Sequence, residues 1–578
     1  MLFLQQFTSI QSMITRWRTL NVALLLLLTL SSCNDIDSSS SSPGGSGTVI
    51  PIENMDSHVK KELTRVIQDL EDKSLYNLGD STLLSFFTVI EHYYKLTDFH
   101  PVWSTHEKFK PFADSLIGYL GTAAVDGLFA SDYHYSSLVA LRAKAQTDSS
   151  RRQDPLFWAV ADLQFSDAFF RLVQDLKQGR LQHDSLSWKY NKIKQKDFFT
   201  TYLNRLLSGD SISSIVRTLQ PKHKAYISLK NSLPSFLDSM DTKTYTYLRY
   251  PYKDSLIFLK NLLVRLKEEG LSSNRVLQVD STELDHLLRR YQAKAGMKIT
   301  GKLSGAMVAV LNNNDREKHK RIAITLDKFK RLPERLPEKY IWVNLPSYKL
   351  VVWDEDSLIM ESRVIIGKPG TPTPRISSQI SDLVVFPTWT VPNSIIVKEI
   401  LPGLRKNTGY LGRKGLALFN NDGVEIDPTT VNWSLYKKGI PYYVRQASGD
   451  NNALGVIKFN FKNPYSVYLH DTNQRYLFKN KMRSLSHGCV RVEDWKKLAF
   501  FIARNDSLHR SANDTIAFTP DSITTWITRK ERHVVPIKKQ IPVFILYFGC
   551  EGAKGTVRFY DDVYGEDKVL REKYFAHK

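Results

Sequence analysis

The sequence predicts a multidomain α+β protein, and three observations carry that expectation. The chain has 578 residues, too many for one hydrophobic core, which implies about three or four domains. From about residue 52 to 271 the apolar residues follow a helical period: Phe165, Phe169, Leu172, Val173 and Leu176 fall on one face. From Lys339 onward the texture changes to short β-branched or aromatic runs, 340–345, 348–353 and 362–366, separated by Pro, Gly and Asp. A hydrophobic content of 42% with 11% aromatics fits packed domains. The formal net charge of +21 favours anionic surroundings, whether nucleic acid, membrane headgroups or cell-wall polymer. Lys and Arg are dispersed along the chain, so charge alone does not choose among these.

The N-terminus reads as an export signal. Arg16 and Arg18 precede an apolar run, residues 20–30, that is too short to span a bilayer comfortably. The run ends in Leu30-Ser31-Ser32-Cys33, which resembles the lipobox of bacterial lipoproteins, in which the cysteine is lipidated and becomes the new N-terminus. Residues 1–12 are superfluous to such a signal, so Met13 is an alternative start to Met1. The Ser- and Gly-rich stretch 34–47 reads as a flexible tether. The expected division is therefore a signal at 1–33 and a tether at 34–55. The expected location is the cell envelope, lipid-anchored to a membrane and facing the periplasm. Cys33, Cys489 and Cys550 are an odd, sparse set, which argues against a disulfide framework.

Residues 56–275 read as a helical scaffold. Its many aromatics (Phe86, Phe87, Tyr93, Tyr94, Trp103, Trp158 and Phe170 among them) read as core. His100, His134 and His183 are isolated and lack metal-ligand spacing. Residues 276–314 read as a small module: helix 287–292, a turn with Gly296 and Thr300-Gly301, then a helix ending at Leu311-Asn312. The Tyr291-Gln292 pair, turn glycine and terminal Leu-Asn resemble the small three-helix peptidoglycan-binding domain. The sequence departs from that pattern with Tyr291 for Phe and Thr300 for Asp. A helical connector, 315–338, follows.

Residues 339–540 read as a mostly-β domain. Its strand pattern lapses between about 395 and 450, where a helix-prone segment, Gly409, Gly412 and Gly415, and Tyr436, Tyr442 and Tyr443 suggest an inserted lid. Residues 541–578 read as a C-terminal extension, with Cys550 an inert buried thiol.

The chemistry concentrates in Tyr468-Leu469-His470-Asp471 and Ser486-His487-Gly488-Cys489-Val490-Arg491. A lone cysteine is most often a small buried hydrophobe, but His487, Gly488 and Arg491 are poor core neighbours. The alternation of 466–469 sets the His470 imidazole at a strand end. Imidazole and thiol meeting across a short loop would form a thiolate–imidazolium pair and lower the thiol pKa. Backbone N–H groups around Gly488 and Cys489 would supply an oxyanion hole. Arg491 either meets a substrate carboxylate or holds the loop by a salt bridge. His470, Asp471, His487 and Cys489 are ligand-type residues without zinc spacing, so neither metal nor cofactor is expected.

This signature resembles the active site of the L,D-transpeptidases: a His, a variable loop, then Ser-His-Gly-Cys-x-Arg. Flanking segments 367–374, 389–392 and 452–455, with Pro101-Val102-Trp103 and Asp126-Gly127-Leu128 in the scaffold, resemble the large multidomain branch. The resemblance covers residues 56 to 578. It implies that Cys489 is the nucleophile on the carbonyl between diaminopimelate and D-Ala in a tetrapeptide stem, releasing D-Ala and leaving a thioester. It implies that His470 is the base, and that a diaminopimelate amine on another stem completes a 3→3 cross-link. Gly488, His487 and Ser486 would support the loop and oxyanion pocket. Arg491, Trp389, Tyr443 and Asn452 are candidate substrate contacts. The implied partners are diaminopimelate-type peptidoglycan stem peptides, a membrane through the lipid, and carbapenems that acylate the thiol; nucleic acid is not a partner. The rival readings are a catalytically weak peptidoglycan-binding protein, an L,D-carboxypeptidase-type hydrolase, and a papain-like peptidase, whose Cys usually precedes its His.

Overall fold

The computed structural model describes residues 50–71, 73, 75–78, 82–181, 195–271, 280–511 and 518–578. The export signal, Cys33, most of the tether and His183 lie outside the described residues. Ile52–Lys578 form one compact unit. Its architecture is the expected multidomain α+β one, helical as far as Phe329 and β-rich from Lys339.

The helices used below are α1 (Met55–Glu71), α2 (Phe87–Leu96), α3 (Pro155–Gln178), α4 (Lys224–Ser239), α5 (Ser255–Glu268), α6 (Ser281–Lys294), α7 (Gly305–Leu311) and α8 (Asp315–Phe329). The centre of the scaffold is α3. Asp154 caps it by accepting the Leu156 N–H, and Pro155 occupies the first turn, where no N–H is needed. The sequence gives this helix one apolar face, but it is buried on all sides, Asp162 and Asp167 included. Those carboxylates are buried because they cap backbone donors. Asp162 accepts from Val102 and Trp103 N–H (2.7 and 2.9 Å), and Asp167 from Phe86 N–H (2.7 Å). Trp103, Trp158, Phe165, Phe169 and Phe170 are core, as expected.

The small module has its third helix upstream of the expected start at 276. α5, α6 and α7 share one core of Leu262, Leu266, Leu288, Tyr291, Met307 and Leu311. The Gln292 amide accepts the Thr300 and Gly301 N–H groups (2.7 and 2.9 Å) and donates to the Lys302 carbonyl (2.9 Å), which fixes the turn. Gly301 has φ +67, and a Cβ there would lie 1.8 Å from Asp285 Oδ1, so glycine is required.

The β-region contains β1 (Lys339–Asn344), β2 (Lys349–Asp354), β3 (Ser357–Gly367), β4 (Ile376–Val385), β5 (Trp389–Thr390), β6 (Leu416–Phe419), β7 (Glu425–Ile426), β8 (Tyr443–Gln446), β9 (Ile457–Phe461), β10 (Leu469–His470), β11 (Ser484–Ser486) and β12 (Val490–Val492). Beyond them come α9 (Trp495–Ser507), α10 (Pro520–Thr528), β13 (His533–Pro536), β14 (Pro542–Leu546), β15 (Cys550–Ala553), β16 (Thr556–Phe559) and α11 (Glu566–Tyr574). Pairing runs β9-β10-β12-β3-β2-β1-β14-β4 and returns from β4 to β9, so the sheet closes on itself. Alternation sorts each strand: Ile341, Val343, Leu350, Val352, Leu469 and Val490 join the inner core, while Tyr340, Trp342 and Trp353 alternate with them onto the outer face.

Two boundaries move. β14, in the segment read as an extension after 540, lies between β1 and β4 (Val543 opposite Ile341 and Ser378), so the closed sheet needs it. The insert begins earlier than 395: β5 pairs with β8 in a four-stranded sheet, β5-β8-β6-β7, with its own core of Val391, Ile400, Leu404, Leu418, Trp433 and Val444.

The C-terminal segment also ties the scaffold down. Lys328 of α8 is buried against Glu566 (2.9 Å) and Asp567 (2.8 Å) of α11 and donates to the Tyr547 carbonyl (2.9 Å). Arg571 grips Glu317 with two bonds of 2.6 and 2.7 Å. Removing one member of such a group strands the others without a counter-charge. Lys328→Ala is expected to destabilise the protein by about 3 kcal/mol or more, read as the shift of its urea unfolding midpoint. A shift no larger than that of an exposed control such as Lys497→Ala would contradict this reading.

Candidate active site

β10 and β12 are neighbours in parallel register, Leu469 opposite Val490 and His470 opposite Arg491. The Val490 N–H donates to the Tyr468 carbonyl (3.1 Å), which sets Cys489 beside Tyr468. Side chains alternate along a strand, so Tyr468, His470, Cys489 and Arg491 share the outer face while Leu469 and Val490 enter the core. β9 adds Lys458, directly opposite His470. The Lys458 ammonium lies 4.0 Å from the Tyr468 ring centre. The two motif halves, nineteen positions apart in sequence (489 − 470), thus meet through one strand pairing.

The loop carrying Cys489 is held at several points. Ser486 Oγ donates to the Cys489 carbonyl (2.6 Å) and accepts the Gly488 N–H (3.1 Å). Thr373 Oγ1 donates to the Gly488 carbonyl (2.7 Å) while accepting the Gly367 N–H (2.9 Å). The Tyr564 hydroxyl donates to the Gly367 carbonyl (2.8 Å) and accepts the Thr373 N–H (3.2 Å). Gly488 has φ +129, a conformation that side chains rarely adopt. His487 Nε2 lies 2.5 Å from Glu399 Oε1, so the insert touches the Cys489 loop directly. His470 is positioned from the other side. Asp471, fully buried, accepts the Val456 N–H (3.0 Å) and a two-point contact from Arg475 (3.1 and 2.6 Å). Gly455, at φ +62, leaves room for that carboxylate; a Cβ there would sit 2.2 Å from Asp471 Oδ2.

The electrostatics correct one expectation. Burial works against a resting ion pair of thiol and imidazole. Burial pushes the Cys489 thiol above its usual 9.0, against the lowering influence of Tyr468, Lys458 and Arg491. Burial, then the Arg491 guanidinium, pushes His470 down to about 3, against the raising influence of ring hydrogen bonding to the Asp471 and Leu454 backbone. Both shifts favour the neutral forms near pH 7. The Cys489 Sγ donates to the Ser466 carbonyl (3.8 Å), and His470 Nδ1 is buried without a hydrogen-bond partner. A neutral imidazole with a bare ring nitrogen can accept a proton as the thiol attacks. Burial also raises the Tyr468 hydroxyl, and its hydrogen bond to Cys489 adds to the rise while Trp389 opposes it.

Other expectations divide. Of the two proposed oxyanion donors, the Gly488 N–H is spent on Ser486, which leaves that of Cys489. Arg491 donates to Gln474 (3.1 Å), leaves its Nε unpartnered, and forms no ion pair among the described residues. The loop-holding salt bridge is thus absent, and the guanidinium has unspent donors for a carboxylate. Trp389 is half-buried against the insert core and reaches Tyr468. Tyr443, 48% exposed, stands on β8 three residues from the Gln446–Trp389 pair. Asn452 is 1% exposed, donating to the Ala447 carbonyl and accepting the Leu454 N–H (2.8 Å each), so its side chain is buried and shapes its own loop. The sequence reading missed Lys458, Thr373 and Glu399 and gave Tyr468 no role. Strand parity with His470 would have found Tyr468. Thr373 and Glu399 act across 115 and 88 residues and leave no local signal. Cys550 is buried and pushed up to about 12. Among the described residues no group of three His, Cys, Asp or Glu side chains is placed to hold a metal.

Residues 338–511 match the L,D-transpeptidase catalytic domain, and residues 88–233 match a Scaffold domain. A curated protein of Haemophilus influenzae, provisionally named an L,D-transpeptidase, is 35% identical over 230 residues, 40% of this chain and 45% of that protein. The chain thus spans about half the length of the curated relative it matches. Solved structures similar in part are an L,D-transpeptidase from Mycobacterium smegmatis (11% identity, 36% of this chain and 58% of that chain, TM-score 0.17) and one from Enterococcus faecium (12%, 36% and 50%, 0.17). The fold and site define a β-rich catalytic domain with an outward-facing cysteine and histidine. This chain carries an L,D-transpeptidase catalytic domain together with a scaffold domain.

The resting protonation states have two measurable consequences. Alkylation of Cys489 by iodoacetamide is expected to accelerate continuously up to pH 9 and beyond; a plateau between about pH 5 and 8 would indicate a preformed thiolate. The His470 pKa is depressed in the fold, so between about 6.5 and 3 the unfolded chain binds the extra proton. Stability from this group is complete above about 6.5 and declines as pH falls toward 3. The thermal midpoint of wild type should therefore fall more steeply over that range than that of His470→Asn; parallel curves would contradict the shift.

Proposed function

We propose that the protein is an L,D-transpeptidase that forms 3→3 cross-links between peptidoglycan stem peptides. The observation that carries the proposal is the common outer face of Cys489 and His470, with the His470 Nδ1 unpartnered. Cys489 Sγ attacks the carbonyl that joins diaminopimelate to the terminal D-Ala of a tetrapeptide. The thiol proton passes to His470, and the Cys489 N–H receives the developing oxyanion. Collapse of the tetrahedral adduct transfers that proton to the D-Ala nitrogen, releases D-Ala and leaves a thioester. A diaminopimelate amine of a second stem then attacks the thioester and gives a proton to His470, which returns it to the departing thiol. Arg491 is the residue we assign to a stem carboxylate. A thioester open to water hydrolyses, so the insert, joined to the nucleophile loop by Glu399 and His487, is assigned as the cover.

Carbapenems, which present a carbonyl to the same thiol, should acylate Cys489. We read the three-helix module as wall-binding. We also read Cys33 as the lipidation site, which holds the protein at a membrane with its catalytic domain in the periplasm.

The test is mass spectrometry of protein lacking residues 1–47, which keeps the compact unit Ile52–Lys578 whole, incubated with a diaminopimelate-containing disaccharide tetrapeptide. The expected product is a dimer lighter than two monomers by one D-Ala, absent with Cys489→Ala and reduced at least about a hundredfold with His470→Ala. Tripeptide monomer alone would indicate a hydrolase. No product from folded wild type would indicate a binding protein.

A further inference from the structure

The catalytic cluster uses the outer face of β9, β10 and β12. A second open stretch of outer face lies on β1, β2 and β3. There, cross-strand register sets Tyr340 opposite Trp353 and Trp353 opposite Leu358, so three large apolar side chains form one row. Leu358 is 50% exposed, and Tyr340 and Trp353 are half-buried. The next row is Trp342, Val351 and Glu361. Trp342 is braced from behind: its ring stacks on Phe548 (5.5 Å, 12°), which stacks on Phe329 (4.4 Å, 10°). Trp353 has no ring partner among the described residues. These residues floor a cleft of about 720 Å³, walled by the start of α4 and the 334–338 segment.

The charges of the cleft choose its occupant. Six carboxylates and five Lys or Arg side chains line it, in a chain whose net charge is +21. Several are already paired at the rim, Lys349 with Glu361 and Lys224 with Asp356 (2.7 Å each). A polyanion gains little from such balance, and a strongly apolar ligand would leave the rim groups unsatisfied. A neutral polyhydroxyl ligand fits both parts. Pyranose rings turn a face of C–H groups toward the electron-rich face of an indole or phenol, while their hydroxyls bond to carboxylates and ammonium groups at the edge.

We propose that this cleft is an oligosaccharide-binding site that takes a β-linked chain of N-acetylated amino sugars along the Tyr340, Trp342 and Trp353 platform. The choice of amino sugars rests on the proposed peptidoglycan reading; the choice of a neutral saccharide rests on the cleft alone. The site would hold the glycan of a wall strand on a different part of the closed sheet from the one that holds its stem peptide.

The test is a tryptophan-fluorescence titration with the hexamer of N-acetylglucosamine. It uses protein lacking residues 1–47 and carrying Cys489→Ala, so that turnover plays no part. Saturable binding is expected, weakened at least tenfold by Trp353→Ala and by Glu361→Ala, with the thermal midpoint of at least one variant unchanged. Maltohexaose should bind more weakly. Absence of saturable binding would overturn the proposal. So would binding indifferent to both substitutions, which would place the sugar elsewhere, for example on the three-helix module. Competition by free stem tetrapeptide would also overturn it, by showing a peptide site. Sugar binding that survives when wild type fails to cross-link would count against the transpeptidase reading alone. Cross-linking with no sugar binding would count against this inference alone.

Discussion

The site depends on one parallel strand pairing. Leu469 opposite Val490 turns two short segments into neighbours, and the pleat then decides which of their side chains meet. Leu469 and Val490 go into the core, where slipping by one residue would exchange them for His470 and Arg491. Apolar burial on one face thus enforces the placement of the reactive groups on the other. The catalytic geometry is secured by the least reactive residues of the motif.

The rest of the unit bears on that pairing from three directions. From the C-terminal side, Tyr564 fixes Thr373 and Gly367, and Thr373 fixes the Gly488 carbonyl. From the insert, Glu399 reaches His487. From the scaffold, α4 and α8 pack Tyr226, Leu229 and Phe329 against Phe544, Leu546 and Phe548 on and just after β14. β14 lies within the closed sheet between β1 and β4, so the scaffold is attached to the catalytic domain along one of its strands. The buried charges of Lys328, Glu566 and Asp567 lie at the same junction. Burial at the active site has a different consequence: it removes charge from both the thiol and the imidazole. A neutral pair is unreactive until a carbonyl arrives to take up the electron pair.

Much of this was legible in the sequence, for a physical reason. The Cys489 and His470 motif is local, and strand alternation on either side of it is strong, so the class of domain and the meeting of these two side chains on one face could be read together. The scaffold core was legible from helical period and aromatic content. What failed was non-local. β14 looked like a tail because its partners, β1 and β4, lie more than 150 positions away. α5 looked like scaffold because the packing of Leu262 and Leu266 on Leu311 has no local sequence signal, and because Arg265, which also reaches Leu311, has a surface bias that hides its buried role. Asn452 looked like a ligand contact because sequence cannot show that both ends of an amide are already spent. The thiolate–imidazolium expectation failed because proximity was legible and burial was not.

The proposed chemistry turns on a buried His470 imidazole that rests neutral beside a neutral thiol. The most direct measurement is an NMR titration of the His470 ring nitrogens in protein labelled at histidine, assigned by comparison with His470→Asn. One neutral tautomer is expected from about pH 8 down to about pH 5, unchanged in Cys489→Ala. An imidazolium signal at pH 7 in wild type that disappears in Cys489→Ala would show a resting ion pair and contradict it.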